Sequence, residues 1–196
     1  MSSSPKRVIL AITGASGAIL GIRTLELLKE VGIETHLIVS RAARQTITSE
    51  TDWAVADVKA IASACYEPQN IGARIASGSF VTGGMLVVPC SIKTLSGIAN
   101  SYASNLVVRA ADVCLKEGRK LILAVRETPL HLGHLQLMEQ AARAGAVIFP
   151  PVPAFYGRAQ TVDELVDDLA GRILLRMGIE NEHYHRWGGD EDSGGI

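Results

Sequence analysis

The sequence is poor in several features, and each shortage excludes something. No apolar run reaches the roughly 18 residues that a membrane-crossing helix needs. The N-terminus, Met1-Ser2-Ser3-Ser4-Pro5-Lys6-Arg7, leads into a strand and lacks the apolar core of a signal peptide. A formal net charge of -1 gives no electrostatic case for nucleic acid or for an anionic membrane. The three cysteines, Cys65, Cys90 and Cys114, form no CxxC pair and read as reduced thiols of a cytoplasmic protein. There is no GxGxxG fingerprint, no internal repeat and no linker.

What is present is one domain's worth of chain, 196 residues, with 47% hydrophobic and 20% charged side chains. The apolar excess is mostly Ala, Val, Ile and Leu. It fits strands buried on both faces, a large subunit interface, or both.

Apolar runs and helical periodicities alternate. Strands are expected at Arg7–Ile12, Glu34–Val39, Met85–Val88, Leu121–Val125 and Ala146–Phe149. Helices are expected at Ala18–Lys29, Arg41–Thr48, Val55–Cys65, Lys93–Asn100, Leu106–Lys116, His134–Ala144 and Val162–Met177. Tyr66–Gly83 reads as a loop, and the polar, glycine-rich Asn181–Ile196 as a tail. This βα alternation predicts an α/β fold: a doubly wound parallel sheet with helices on both faces and right-handed crossovers. Ligands of such sheets bind beyond the carboxyl ends of the strands, at the switch point. Thr13-Gly14-Ala15-Ser16, Ser40, Cys90-Ser91, Arg126-Glu127 and Pro150-Pro151 follow the strands and are expected to converge there.

Gly14-Ala15-Ser16-Gly17 can cradle a phosphate on backbone N–H groups, or can be a bare tight turn. Where a dinucleotide site wants an acid after the second strand, this chain has Ser40, which suits a phosphate or mononucleotide better. Ser91-Ile92-Lys93-Thr94 opens a helix with two hydroxyls and a lysine; helix capping by Ser91 is the plainer reading. Arg126-Glu127 pairs a fixed cation with a proton-carrying acid, or makes a solvated salt bridge. Arg109 and Lys116, seven apart, share a helix face. Arg172 sits among apolar neighbours, where full exposure is unexpected. With Tyr156 these cations can hold a second anion, and two anionic ligands suggest a transferase. His131 and His134 lack an evident third ligand, so no metal is expected. His183 and His185 read as surface residues.

Together these segments resemble the UbiX family of flavin prenyltransferases, long described as aryl-acid decarboxylases. The likeness rests on Thr13-Gly14-Ala15-Ser16-Gly17-Ala18, Ser40-Arg41-Ala42-Ala43, Glu50-Thr51-Asp52, Ser77-Gly78-Ser79 and Pro89-Cys90-Ser91-Ile92-Lys93-Thr94-Leu95-Ser96. It continues through Arg109-Ala110-Ala111-Asp112-Val113, Leu115-Lys116-Glu117, Val125-Arg126-Glu127-Thr128-Pro129-Leu130-His131, Pro151-Val152-Pro153-Ala154-Phe155-Tyr156 and Arg186-Trp187-Gly188. It runs from about Arg7 to Trp187, in order.

The resemblance implies a flavodoxin-like Rossmann domain over residues 1–187, a polar tail over 188–196, and a homododecamer. It implies transfer of the dimethylallyl group of dimethylallyl phosphate to N5 and C6 of reduced FMN. The product, prenylated FMN, serves a UbiD-type decarboxylase. By position, Gly14, Ala15, Ser16, Ser40, Ser91, Ile92, Lys93, Thr94 and Arg126 are implied to contact FMN. Lys116, Arg126, Tyr156 and Arg172 are implied to hold the prenyl phosphate, with Arg109 contributing from nearby or across an interface. Glu50 and Glu127 are implied to handle protons, with Ser16 assisting near N5. The rivals are a flavin-dependent decarboxylase of an aromatic acid or of a cysteine derivative, and a non-catalytic flavin carrier. The cysteine decarboxylases carry a Pro-x-Met-Asn segment that is missing from Asn100–Leu106. A carrier has no use for Glu127, Tyr156 and Arg172 together.

Overall fold

The computed structural model describes residues 6–187, and the stretch 188–196 lies outside them. Six parallel strands form one sheet in the order β3-β2-β1-β4-β5-β6. They are β1 (Arg7–Ile12), β2 (Glu34–Val39), β3 (Ala64–Tyr66), β4 (Gly84–Cys90), β5 (Lys120–Val125) and β6 (Val147–Ile148). Among the described residues seven helices connect and flank them: α1 (Ala18–Glu30), α2 (Arg41–Glu50), α3 (Val55–Ile61), α4 (Ile92–Ala99), α5 (Leu106–Lys116), α6 (Leu132–Arg143) and α7 (Val162–Met177).

The central strands are apolar throughout because both faces are covered. Alternate side chains of one strand therefore enter opposite layers. Val8, Leu10 and Ile12 pack into the layer that holds α1 and α7. Ile9 and Ala11 pack into the layer built on α4 and α5. Ile122 and Ala124 of β5 split from Leu121 and Leu123 in the same way. The result is the expected three-layer α/β/α arrangement. Without the short edge strand β3, the remaining strands have the flavodoxin-like order.

Two expectations need correction. The helix expected at Val55–Cys65 stops at Ile61, and Ala64–Tyr66 instead pairs with β2, so the sheet has six strands rather than five. The tail expected from Asn181 is also misplaced, because residues 181–187 pack along α7 (below). The 66–83 stretch is irregular apart from a one-turn 3-10 helix at Arg74–Ala76. Arg119 pins its end by donating to the carbonyls of Gly78 and Phe80. Among the described residues no helix is long and apolar enough to cross a membrane.

Candidate functional site

The strand order reverses between β1 and β4, and a chain of hydrogen bonds ties the carboxyl ends of neighbouring strands there. Ser40 N–H donates to the Ile12 carbonyl at 3.0 Å. Thr13 Oγ1 donates to the Pro89 carbonyl at 2.7 Å and accepts from Ser91 N–H at 2.9 Å. Arg126 N–H donates to the Cys90 carbonyl at 3.1 Å. Thr13 is thus the buried link that sets the first turn of α4 beside the β1–α1 turn, a role its place in the motif did not reveal.

A cavity of about 870 Å³ opens on this crest, lined by Gly14, Ser40, Ser91, Lys93 and Thr94 among others. Three helices begin at its wall, α2, α4 and α5, the last capped by Asn105, which accepts from Val108 N–H at 3.1 Å. Ser40 caps α2, accepting from Ala43 N–H at 3.1 Å. Ser91 caps α4, accepting from Thr94 N–H at 3.4 Å, and its hydroxyl donates to Thr94 Oγ1 at 3.2 Å. Capping and ligand binding are compatible readings, since each hydroxyl keeps acceptor capacity and the next amides of each helix stay available. Among the described residues no acidic side chain lines the cavity, whereas Arg41 and Lys93 do. Three positive helix ends and two cations with no carboxylate make an anion seat. The floor is close-packed: a Cβ on Gly14 would meet the Ala42 Cβ at 2.3 Å, so only glycine lets the β1–α1 turn approach α2.

The first turn of α1 is different. Its cap, Gly17, has φ 94° and offers no side-chain acceptor. Glu50, at the end of α2, fills that role from 33 residues away. Its Oε2 accepts from Gly17 N–H at 2.8 Å and from Ala18 N–H at 3.2 Å. The sequence left this turn open to a phosphate or to no ligand; in the structure a carboxylate of the protein accepts from its Gly17 and Ala18 amides. Ala15 is buried, Ser16 is half-buried on the same turn beside Glu50, and Ile92 packs inward against the α4–α5 layer.

The second set of residues is dispersed. Arg126 and Glu127 leave the carboxyl end of β5, both exposed. They form no salt bridge with each other; Glu127 accepts from Thr128 N–H at 3.1 Å. Lys116 ends α5, just before β5 begins, so it lies roughly 20 Å from Arg126 along the strand direction. It pairs with Glu117, whose carboxyl the Lys116 hydrogen bond and charge hold below the usual carboxylate range. Arg109 pairs with Asp112 at 3.2 Å. Arg172 is half-buried on α7, as its apolar neighbours suggested, and has no side-chain partner among the described residues. Tyr156 and Trp187 meet edge to face, with ring centroids 5.5 Å apart. Within one chain, then, Gly14, Ser40, Ser91, Lys93 and Thr94 converge on the cavity, Ala15, Ser16, Ile92 and Arg126 do not line it, and the residues expected to hold a prenyl phosphate stand apart.

His131 and His134 stack at 3.6 Å, and His131 Nδ1 caps α6 by accepting from Gly133 N–H at 3.0 Å. Among the described residues no group of three His, Cys, Asp or Glu side chains could hold a metal.

The family model for flavoproteins matches residues 1–174. The chain is 54% identical over 187 residues to the flavin prenyltransferase UbiX of Escherichia coli K12, covering 94% of this chain and 99% of that protein. The chain belongs to the UbiX family of flavin prenyltransferases.

The structure of the UbiX-family protein AnUbiX in complex with FMN and dimethylallyl pyrophosphate superposes with a TM-score of 0.93 at 46% identity, over 94% of this chain and 98% of that one. The dodecameric FMN-dependent UbiX-like decarboxylase from Escherichia coli O157:H7 superposes with a TM-score of 0.91 at 47% identity, over 93% and 100% of the two chains. In this UbiX-family chain the cavity wall also includes Arg41, Gln69, Tyr102 and Asn105, to which the sequence reading gave no site role. Arg41 was findable as the residue after the Ser40 cap. Gln69 and Tyr102 come from irregular segments with no periodic signal.

Proposed function

We propose that this protein is a metal-independent flavin prenyltransferase. It joins the dimethylallyl group of dimethylallyl phosphate to N5 and C6 of reduced FMN and releases prenylated FMN for a UbiD-type decarboxylase. One observation carries the reading: a cavity at the switch point with no acid among its described lining residues, fed by the N-termini of α2, α4 and α5, in a chain of this family.

FMN fits that cavity, since its phosphate matches the Ser40, Ser91 and Thr94 hydroxyls and the Lys93 ammonium. Gly14, Ala15, Ser16, Ile92 and Arg126 shape and complete the seat. When bound, reduced FMN supplies the nucleophilic flavin nitrogen. The protein's own tasks are to hold the allyl carbon against that position, exclude water and manage charge and protons. Breaking the allylic C–O bond builds charge on the leaving phosphate. Arginine forks from Arg109, Arg126 and Arg172, with Lys116 and the Tyr156 phenol, stabilise it. Glu127 is exposed and free of ion pairs among the described residues, so it can take the C6 proton. Glu50, fixed on the Gly17 amide one residue along from Ser16, assists near N5 with Ser16.

Because Lys116 and Arg126 lie at opposite ends of β5, one chain does not assemble the second anion site. Neighbouring subunits of a homododecamer complete it. The exposure of Leu132 (69%), Phe155 (79%) and Trp187 (73%) supports such interfaces. Three unpaired thiols support a cytoplasmic setting.

The two-site assignment has a direct test. Arg172→Ala is expected to weaken dimethylallyl phosphate binding about tenfold or more while leaving FMN affinity within twofold, because it removes one charge-assisted contact from the second site only. Equal loss of both ligands would refute it.

A further inference from the structure

We propose that Asp168 is a positioning residue: from α7 it latches the segment 179–187 and thereby fixes Tyr156 and Trp187 on the prenyl phosphate side of the site. The inference rests on the assignment of Tyr156 to that site.

Asp168 is a charged residue only 5% exposed, in the middle of α7. Acids are rarely buried this far without partners. Its carboxylate accepts from His185 N–H at 2.8 Å, and the same oxygen lies 3.5 Å from His185 Nδ1. The chain reaches it by running back along the helix it has just left. Ile179, 1% exposed, enters the core. Asn181 Nδ2 then donates to the Gly171 carbonyl at 3.0 Å. His183 Nε2 lies 3.1 Å from Glu30 on α1. The fit against α7 is close: a Cβ on Gly171 would meet Asn181 Oδ1 and the His183 backbone at 2.8 Å.

The end of this path is the functional side. The Tyr156 hydroxyl donates to the His185 carbonyl at 3.5 Å, and its ring meets Trp187 edge to face. One residue is therefore held at both its backbone groups, by Asp168 on the N–H and by Tyr156 on the carbonyl. Asp168 is the last described anchor on α7 before Trp187. Without it the anchors at residues 179, 181 and 183 remain, and the final turn of chain that carries His185 and Trp187 loses its hold on α7 and, among the described residues, keeps only the contacts to Tyr156 as its tie to another element. Asp168 touches no reacting group; it acts through His185.

The experiment uses full-length Asp168→Ala and Asp168→Asn, with Tyr156→Phe as reference. Hydrogen exchange read by mass spectrometry follows the peptide containing His185. Calorimetry measures dimethylallyl phosphate binding to protein loaded with oxidised FMN, and separately FMN binding. Loss of a charge-assisted hydrogen bond is expected to speed exchange at His185 by about 10- to 100-fold in the alanine variant. Dimethylallyl phosphate affinity should fall about tenfold as the latched fraction drops, with FMN affinity within twofold. The asparagine variant keeps an acceptor oxygen and should fall between, which guards against a misfolded alanine variant. Unchanged exchange at His185 in both variants overturns the latch. Faster exchange with unchanged prenyl phosphate affinity overturns the positioning role. In that case Tyr156→Phe separates the causes: if it too leaves affinity unchanged, Tyr156 lies outside the substrate site and the underlying assignment fails.

Discussion

Glu50 offers the sharpest test of how this site is held together. Replacing it with alanine removes the carboxylate that accepts from Gly17 and Ala18 N–H at 2.8 and 3.2 Å. Gly17 itself provides no side-chain cap and stands at φ 94°, so nothing local replaces the lost acceptor. Losing a helix cap costs about 0.5–2 kcal/mol. Losing a negative charge at a helix N-terminus costs about 0.3–1 kcal/mol. These overlap in one carboxylate, so about 1–2 kcal/mol is the working figure. That corresponds to about 5- to 30-fold in the local opening equilibrium. Hydrogen exchange of the peptide spanning residues 13–20 reads it, with Gly17 and Ala18 amides expected to exchange faster by that factor. Glu50→Gln keeps an acceptor oxygen but loses the charge, so its effect on exchange should be about fivefold or less. If Glu50 also moves protons, the glutamine variant slows turnover far more than it loosens the turn. Unchanged exchange at Gly17 and Ala18 in the alanine variant would show that the cap is not what orders the turn, and the argument from geometry would fall.

Two further predictions concern buried titratable groups. Burial pushes the Cys90 thiol up to about 12 and the Cys114 thiol up to about 11, whereas Cys65 is exposed. Iodoacetamide should therefore label Cys65 in the native protein and reach the other two only on unfolding; peptide mapping that finds native Cys90 alkylated at a similar rate contradicts the packing. His36 is fully buried between Glu34 Oε1 at 2.9 Å and the Tyr66 hydroxyl at 3.0 Å. Burial lowers its pKa from 6.5, outweighing the pull of Glu34. A lowered folded-state value means that the unfolded chain binds the proton first. Its stabilising contribution is present above about pH 6.5 and is lost as pH falls from there through the folded value. Denaturation midpoints should drop between pH 7.5 and 5.5, with a shallower slope for His36→Gln. Equal slopes would remove His36 from the acid sensitivity.

Much of the fold was legible because its signals are local. β1, β2, α5 and α7 have the bounds their periodicities suggested, each closed by a cap or turn within a few residues. β3 was hidden because three residues are too few to alternate, and Ala64-Cys65-Tyr66 continues the composition of α3. The convergence of Gly14, Ser40, Ser91, Lys93 and Thr94 on one cavity was legible for the same local reason: these residues follow strand ends that the parallel topology must bring together. What could not be read depends on contacts distant in sequence. Glu50 reaches Gly17 across 33 residues, and His185 reaches Asp168 across 17. The polar, glycine-rich composition from Asn181 suggested a tail, yet its first part is held by Asn181 donating to the Gly171 carbonyl and by Asp168 accepting from His185 N–H, which composition does not register. The separation of Lys116 from Arg126 follows only once β5 is known to run between them.

The central claim is that this chain alkylates reduced FMN rather than merely binding it. The most direct measurement is mass spectrometry of the small molecules released after anaerobic incubation with reduced FMN and dimethylallyl phosphate, with the diphosphate run in parallel. The account predicts a flavin heavier by one five-carbon unit. Recovery of unmodified FMN from both incubations would contradict it and favour a carrier or a decarboxylase.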